Sequence, residues 1–258
     1  MTVAVDERGP VTIITIDRPE VRNAVDGPTA AALIEAFETF AARDEQRVAV
    51  LTGAHSTFCS GADLKALADD PARANRVEPD GPGPMGPTRM ALDKPVLAAI
   101  EGYAVAGGLE LALWCDLRIA AEDAILGFFD RRWGVPLIDG GTIRLPRLIG
   151  HSRAMDLLLT GRGVDAREAH SFGLVNRLAA AGTALETSVA LAEQIAEFPQ
   201  TCMVSDRASA VGQWGLDLDV AMHREFELGV ATISSGETQA GAKRFAGGRG
   251  RHGDFTDL

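Results

Sequence analysis

Short apolar runs of strand length alternate along this chain with stretches of helical period. Residues 11–16 (VTIITI), 48–52 (VAVLT), 96–100 (VLAAI) and 117–120 (LRIA) are mainly β-branched or aliphatic and bounded by polar or turn residues. Residues 28–42 instead carry apolar side chains at helical spacing, behind a proline suited to a first turn. That rhythm predicts an α/β fold of stacked ββα units rather than a sandwich. Residues 71–87, ending in PDGPGPMGP, hold too much proline and glycine for regular structure and predict a loop. Beyond Phe198-Pro199 the strand signals stop, and helices are expected at 202–214, 218–234 and 238–245. A boundary near Pro199 follows, with a core over 1–198 and a helical region over 199–258. No internal repeat interrupts this plan.

Candidate chemistry concentrates between residues 102 and 141. Gly107-Gly108 opens the apolar segment 109–114, so the first-turn N–H groups of a buried helix are left unpaired and can receive negative charge. Glu110 stands three residues after Gly107, on the same helix face, so its carboxylate and the Gly107 N–H are expected to look into one space. Upstream, the strand at 48–52 leads through a loop to a helix opening near Gly61-Ala62-Asp63. Ser60, Gly61 and Ala62 are small enough for another molecule to approach the backbone closely. Two N–H donors from separate segments meeting on one oxygen form an oxyanion hole, which suits a carbonyl that becomes an enolate or a tetrahedral anion.

With those motifs in order, TFCSGADLKAL followed by KPVLAAIEGYAVAGGLELALWCDLRIA, the chain resembles the enoyl-CoA hydratase/isomerase (crotonase) superfamily. The resemblance runs from RPEVRNAVDG to GAKRFAGGRGRHGDF and implies a spiral of stacked ββα units with a C-terminal helical region. Carried over by position, the family's oxyanion donors fall on the N–H groups of Ala62 and Gly107, and its helix acid falls on Glu110. Its nucleotide-holding segments fall on 21–24 and 62–65. The resemblance thus assigns Arg22, Ala24, Ser60, Ala62, Asp63, Leu64 and Lys65, with Gly107 and Gly108, to holding a CoA thioester. Asp63 also reads as a helix cap in its own right.

The loop at 128–141 decides the reaction. Typical hydratases carry a second glutamate four residues before a glycine, and here that slot holds Asp130, one methylene shorter, before Gly134. Asp139 stands where dienoyl-CoA isomerases of this superfamily place a catalytic aspartate, and reads equally as an N-cap for a helix beginning at Gly140-Gly141. The implied activity is reversible hydration of a trans-2-enoyl-CoA, with Glu110 as general base and Asp130 or Asp139 as its partner. Double-bond isomerisation is the runner-up, and a silent CoA-thioester binder with a defective acid pair is a third reading. No cofactor is expected beyond the CoA that the substrate carries. Family precedent implies a homo-oligomer, trimer or dimer of trimers, built on the apolar residues of 218–234.

Composition narrows the alternatives. The 258 residues are 46% hydrophobic with a net charge of −11, which argues against a nucleic-acid surface. Three cysteines and a beginning without a basic-then-apolar leader favour a cytoplasmic setting. No apolar run reaches the length of a membrane span, and the five histidines lack metal-ligand spacing, so no membrane or metal is assigned. Cys59, beside the oxyanion loop, has no histidine partner and reads as a packed side chain.

Overall fold

A computed structural model of the chain describes residues 2–250. Its main sheet has six strands in the order β1-β2-β3-β4-β6-β9. These are β1 (Val3–Arg8), β2 (Val11–Ile16), β3 (Val48–Gly53), β4 (Val96–Ile100), β6 (Leu117–Ala121) and β9 (Arg177–Ala179). Only β1, an edge strand with most of its residues exposed, runs antiparallel to its neighbour. From β2 to β9 every pairing is parallel. All residues of β3 and β4 are buried, as strands covered on both faces must be.

A second sheet pairs β5 (Tyr103–Val105), β7 (Ile125–Gly127) and β8 (Gly163–Asp165). The repeating unit is visible in how the two sheets share consecutive strands. β4 joins the large sheet, β5 the small one, and then comes helix α3 (Gly107–Trp114); β6 and β7 repeat the division before helix α4 (Gly141–Ile149). Helix α1 (Gly27–Ala42) starts where the Asp26 carboxylate accepts the Thr29 N–H, with Pro28 in its first turn. Its buried Leu33, Ala36, Phe37 and Phe40 recur at the spacing of one helix face and lie against β1 and β2.

Helices α5 (His151–Thr160) and α6 (Ala166–Ser171) follow α4, and α7 (Ala184–Glu197) packs across β3, β4 and β6. Short α2 (Leu64–Asp69) lies between β3 and β4. Past Pro199 come α8 (Gln200–Gly212), α9 (Leu218–Ser234) and α10 (Glu237–Ala246), which contact one another and bury only Thr232. The stretch at 71–87 is irregular except for single 3-10 turns at Pro71–Arg73 and Pro87–Arg89. Among the described residues no helix is long and apolar enough to cross a membrane.

Candidate active site

The site forms where two chain segments run side by side. Cys59 pairs with Ala104 in a parallel bridge: its N–H donates to the Tyr103 carbonyl at 3.0 Å, and its own carbonyl accepts the Val105 N–H at 3.0 Å. The two strands continue forward together, so the segment at 60–62 stays beside the turn at 105–107. Gly61 has a positive φ of 100° and lies so close that an added Cβ would stand 2.9 Å from the Ala106 methyl. A side chain there would push the segments apart.

This juxtaposition brings the N–H groups of Ala62 and Gly107 to one place. Neither donates to any other group of the chain among the described residues. Gly107 is the first residue of α3, where a helix leaves its N–H unsatisfied. Ala106 before it holds φ 52° and ψ −127°, a conformation unfavourable for a residue with a side chain, and this sharp entry aims the helix start at the cavity. A Cβ at Gly107 would meet the Met85 sulfur at 2.7 Å and displace that side chain. Gly108 is buried, and an added Cβ would run into the Cys59 carbonyl oxygen. Its smallness permits the close approach of the two segments; it does not line the cavity.

The two N–H groups open on a cavity of about 300 Å³ lined by Ser60, Ala62, Leu64, Gly107, Glu110 and Asp130. Its remaining walls are mostly apolar, with Leu67, Val77, Phe129, Trp133, Leu137 and Ile138 among them. Sequence reasoning did not single out these wall residues, since an apolar side chain in a loop gives no signal of what it faces. Glu110 is buried, and one of its oxygens, Oε1, accepts the Gly141 N–H at 2.8 Å and the Asp139 N–H at 3.0 Å. Gly140, with φ 97°, turns the chain so that both N–H groups point at that oxygen. Burial raises the Glu110 pKa from 4.5 to about 8, helped by the charges of Asp139 and Asp130 and opposed by the two N–H donors.

Asp130 sits in a 3-10 turn, Phe129–Trp133, and is buried. Both of its carboxylate oxygens are enclosed, and neither accepts a hydrogen bond from another of the described residues. Burial pushes its pKa upward as well. A buried carboxyl group that the protein itself does not pair is costly, and this one lines the cavity beside Glu110.

Asp139 is placed differently from the sequence reading. Its side chain is absent from the cavity wall; Oδ1 accepts the Met85 N–H at 3.0 Å and the Thr88 hydroxyl. It is not the cap of α4 either, since Gly140 holds that position without a side-chain hydrogen bond. Its carboxylate therefore anchors the loop that lays Met85 against Gly107, while its N–H orients Glu110. The sequence pattern could not separate these roles because a loop's side-chain direction depends on the opposite loop.

The residues assigned to holding CoA divide. Ser60, Ala62, Leu64 and Gly107 line the cavity, whereas Arg22 and Lys65 are exposed outside it. Ala24 is buried, and its carbonyl accepts the Arg18 guanidinium at 2.5 Å. Asp63 caps α2 by accepting the Ala66 N–H at 3.0 Å and pairs with Arg18 at 2.9 Å. Asp63 is thus fully engaged by the protein. The Cys59 thiol is pushed up to about 12 by burial and is no nucleophile. Among the described residues no cluster of three potential metal ligands occurs.

Two unpaired N–H donors facing a buried carboxylate pair in an apolar cavity are what a thioester carbonyl and its enolate require, and the sequence agrees with that chemistry. The chain belongs to the enoyl-CoA hydratase/isomerase family, whose profile matches residues 6–255. Its fold is the crotonase-like spiral, shared with solved structures throughout. An enoyl-CoA hydratase from Mycobacterium marinum superposes with a TM-score of 0.90 at 37% identity, covering 96% of each chain. An enoyl-CoA hydratase of Mycobacterium tuberculosis is 31% identical over 94% of this chain and 92% of its own length. A carnitinyl-CoA dehydratase of Salmonella typhi is 41% identical over 72% of this chain and 71% of its own.

Proposed function

We propose that this protein is an enoyl-CoA hydratase, a hydro-lyase that reversibly adds water to a trans-2-enoyl-CoA. The thioester oxygen lies between the N–H groups of Ala62 and Gly107, which stabilise the enolate formed as water attacks C3. Glu110, held by the N–H groups of Gly141 and Asp139, takes a proton from the attacking water. Asp130 holds that water or supplies the proton to C2. The observation that carries this reading is the Asp130 carboxyl group: buried, accepting no hydrogen bond from another described residue, and on the same cavity wall as Glu110. Hydration can use two acid–base groups on one substrate, and a silent binder gains nothing from a second carboxylate in its cavity.

The reaction needs no cofactor beyond the CoA carried by the acyl substrate. The apolar cavity walls suit the acyl chain of fatty acid metabolism. Leu218, Phe226 and Ile233 on α9 are exposed to 63% or more, which supports burial of this face in a homotrimer or a dimer of trimers. A cytoplasmic setting fits an acyl-CoA substrate and two buried free thiols, Cys59 and Cys115. Purified protein mixed with crotonyl-CoA and longer trans-2-enoyl-CoA thioesters is expected to bleach the enoyl absorbance toward a hydration equilibrium. Thioester binding with unchanged absorbance across the series would overturn the assignment.

A further inference from the structure

Behind the cavity, four charged side chains form a cluster outside the acid pair. Arg18 is buried, yet its guanidinium reaches two carboxylates: Asp63 Oδ2 at 2.9 Å and Asp26 Oδ2 at 3.4 Å. Asp26 is also buried and accepts Arg73 at 2.6 Å, while Arg73 lies 3.9 Å from Asp63. Arg18, Asp26 and Asp63 are buried while Arg73 stays half exposed; burying three charges is expensive, and a fold obtains no clear stability from doing so when apolar side chains would fill the space. The position of the cluster gives it another use.

Both halves of the site rest on residues 24–26. On one side, the Val25 N–H donates to the Gly61 carbonyl at 2.8 Å, and the Val25 carbonyl accepts the Asp63 N–H at 3.0 Å. These bonds grip the peptide groups on either side of Ala62 and leave its own N–H free for a ligand. On the other side, the same Val25 carbonyl accepts the Asn75 side-chain amide at 3.1 Å, and Arg73 reaches Asp26 from the loop at 71–87. That loop brings Asn75, Val77 and Pro84 to the cavity wall.

We propose that Arg18 is a positioning residue that locks the oxyanion donor Ala62 through Asp63 and, through Asp26 and Arg73, fixes the acyl-pocket loop to the same anchor. The inference rests on the reading of the Ala62 N–H as a thioester oxygen donor. Loss of the Arg18–Asp63 pair lets the Ala62 peptide drift, which weakens carbonyl polarisation and hence turnover more than binding. Loss of the Arg73–Asp26 pair frees the loop, which weakens binding of the acyl chain more than polarisation. The cluster therefore separates into a catalytic arm, Arg18–Asp63, and an acyl-binding arm, Arg73–Asp26, joined by the Arg18–Asp26 pair.

The test uses the full-length protein and 4-(dimethylamino)cinnamoyl-CoA, a thioester whose long-wavelength absorption moves red when its carbonyl is polarised. Asp63→Asn keeps the α2 cap but removes the charge facing Arg18. It is expected to diminish the red shift of the bound thioester and to lower kcat about tenfold to a hundredfold, with Kd changed severalfold at most. Arg18→Lys, which keeps one charge, should recover part of the shift relative to Arg18→Met. Arg73→Gln should raise KM for long enoyl-CoA thioesters more than it lowers kcat. Unchanged red shift and kcat in folded Asp63→Asn and Arg18→Met, beside a wild type that shows the shift, would overturn the proposal alone. A wild type that binds the thioester with no red shift would instead overturn the oxyanion reading on which it stands.

Discussion

At the scale of single residues, Glu110 is under opposed demands. Its two N–H donors favour the carboxylate, while burial favours the acid and prevails, leaving its pKa near 8. A general base must be ionised, so kcat/KM is expected to climb about tenfold per pH unit below pH 8 and to level off above it. A fall above pH 8 with no loss below would instead make Glu110 the acid of the pair. Glu110→Gln preserves the hydrogen bonds and removes the proton acceptor; kcat should drop by about 10² to 10⁴ while thioester binding survives. The same substitution should stabilise the fold. Because the pKa is 4.5 when unfolded and about 8 when folded, the native state loses stability as pH rises through that window and bears the full cost above pH 8. The Tm advantage of Glu110→Gln should therefore grow from pH 5 to pH 8. The two aspartates separate as well. Asp130 lines the cavity, so under the proposed mechanism Asp130→Asn should cost at least tenfold in kcat, whereas Asp139→Asn acts through loop position and should cost less. A larger loss at Asp139, with deuterium exchange into unsaturated product, would point to the isomerase chemistry of that slot.

At the scale of elements, the site depends on two backbone segments fitting without side chains between them. Gly108→Ala would set a methyl against the Cys59 carbonyl and force β5 and the 59–62 segment apart. A destabilisation of about 1–3 kcal/mol by urea denaturation is expected, with a loss of turnover exceeding it in free-energy terms because both oxyanion donors move. An unperturbed Gly108→Ala enzyme would contradict the packing argument. This element was legible beforehand: the Gly107-Gly108 pair before an apolar run announces a helix start with free N–H groups, and α3 begins at Gly107. The long strands were legible for the same reason, with β2 and β4 falling at Val11–Ile16 and Val96–Ile100. β5, β7, β8 and β9 were not, since three residues carry too little periodicity to register. β1 gives no strand signal because its exposed edge ends in three consecutive charges, Asp6-Glu7-Arg8. Of the cavity lining, Ala62, Gly107 and Glu110 could be read from motif spacing. Arg18, Asp26 and Arg73 could not: they are distant in sequence, and a charged residue beside a turn ordinarily signals a solvated surface.

At the scale of the whole molecule, α8, α9 and α10 bury almost nothing in the single chain, and the exposed Leu218, Phe226 and Ile233 call for a covering surface. Light scattering is expected to give a trimer or a hexamer at micromolar concentration, and a stable monomer would contradict this. The acid pair, the two N–H donors and the apolar cavity together make one claim, that water is added across the double bond of a thioester-bound enoyl chain. Turnover of a trans-2-enoyl-CoA in deuterium oxide, with the product read by mass spectrometry and NMR, tests it most directly. The account predicts a 3-hydroxyacyl-CoA carrying one deuterium at C2; deuterium confined to unsaturated thioester, or bound thioester with no product at all, would contradict it.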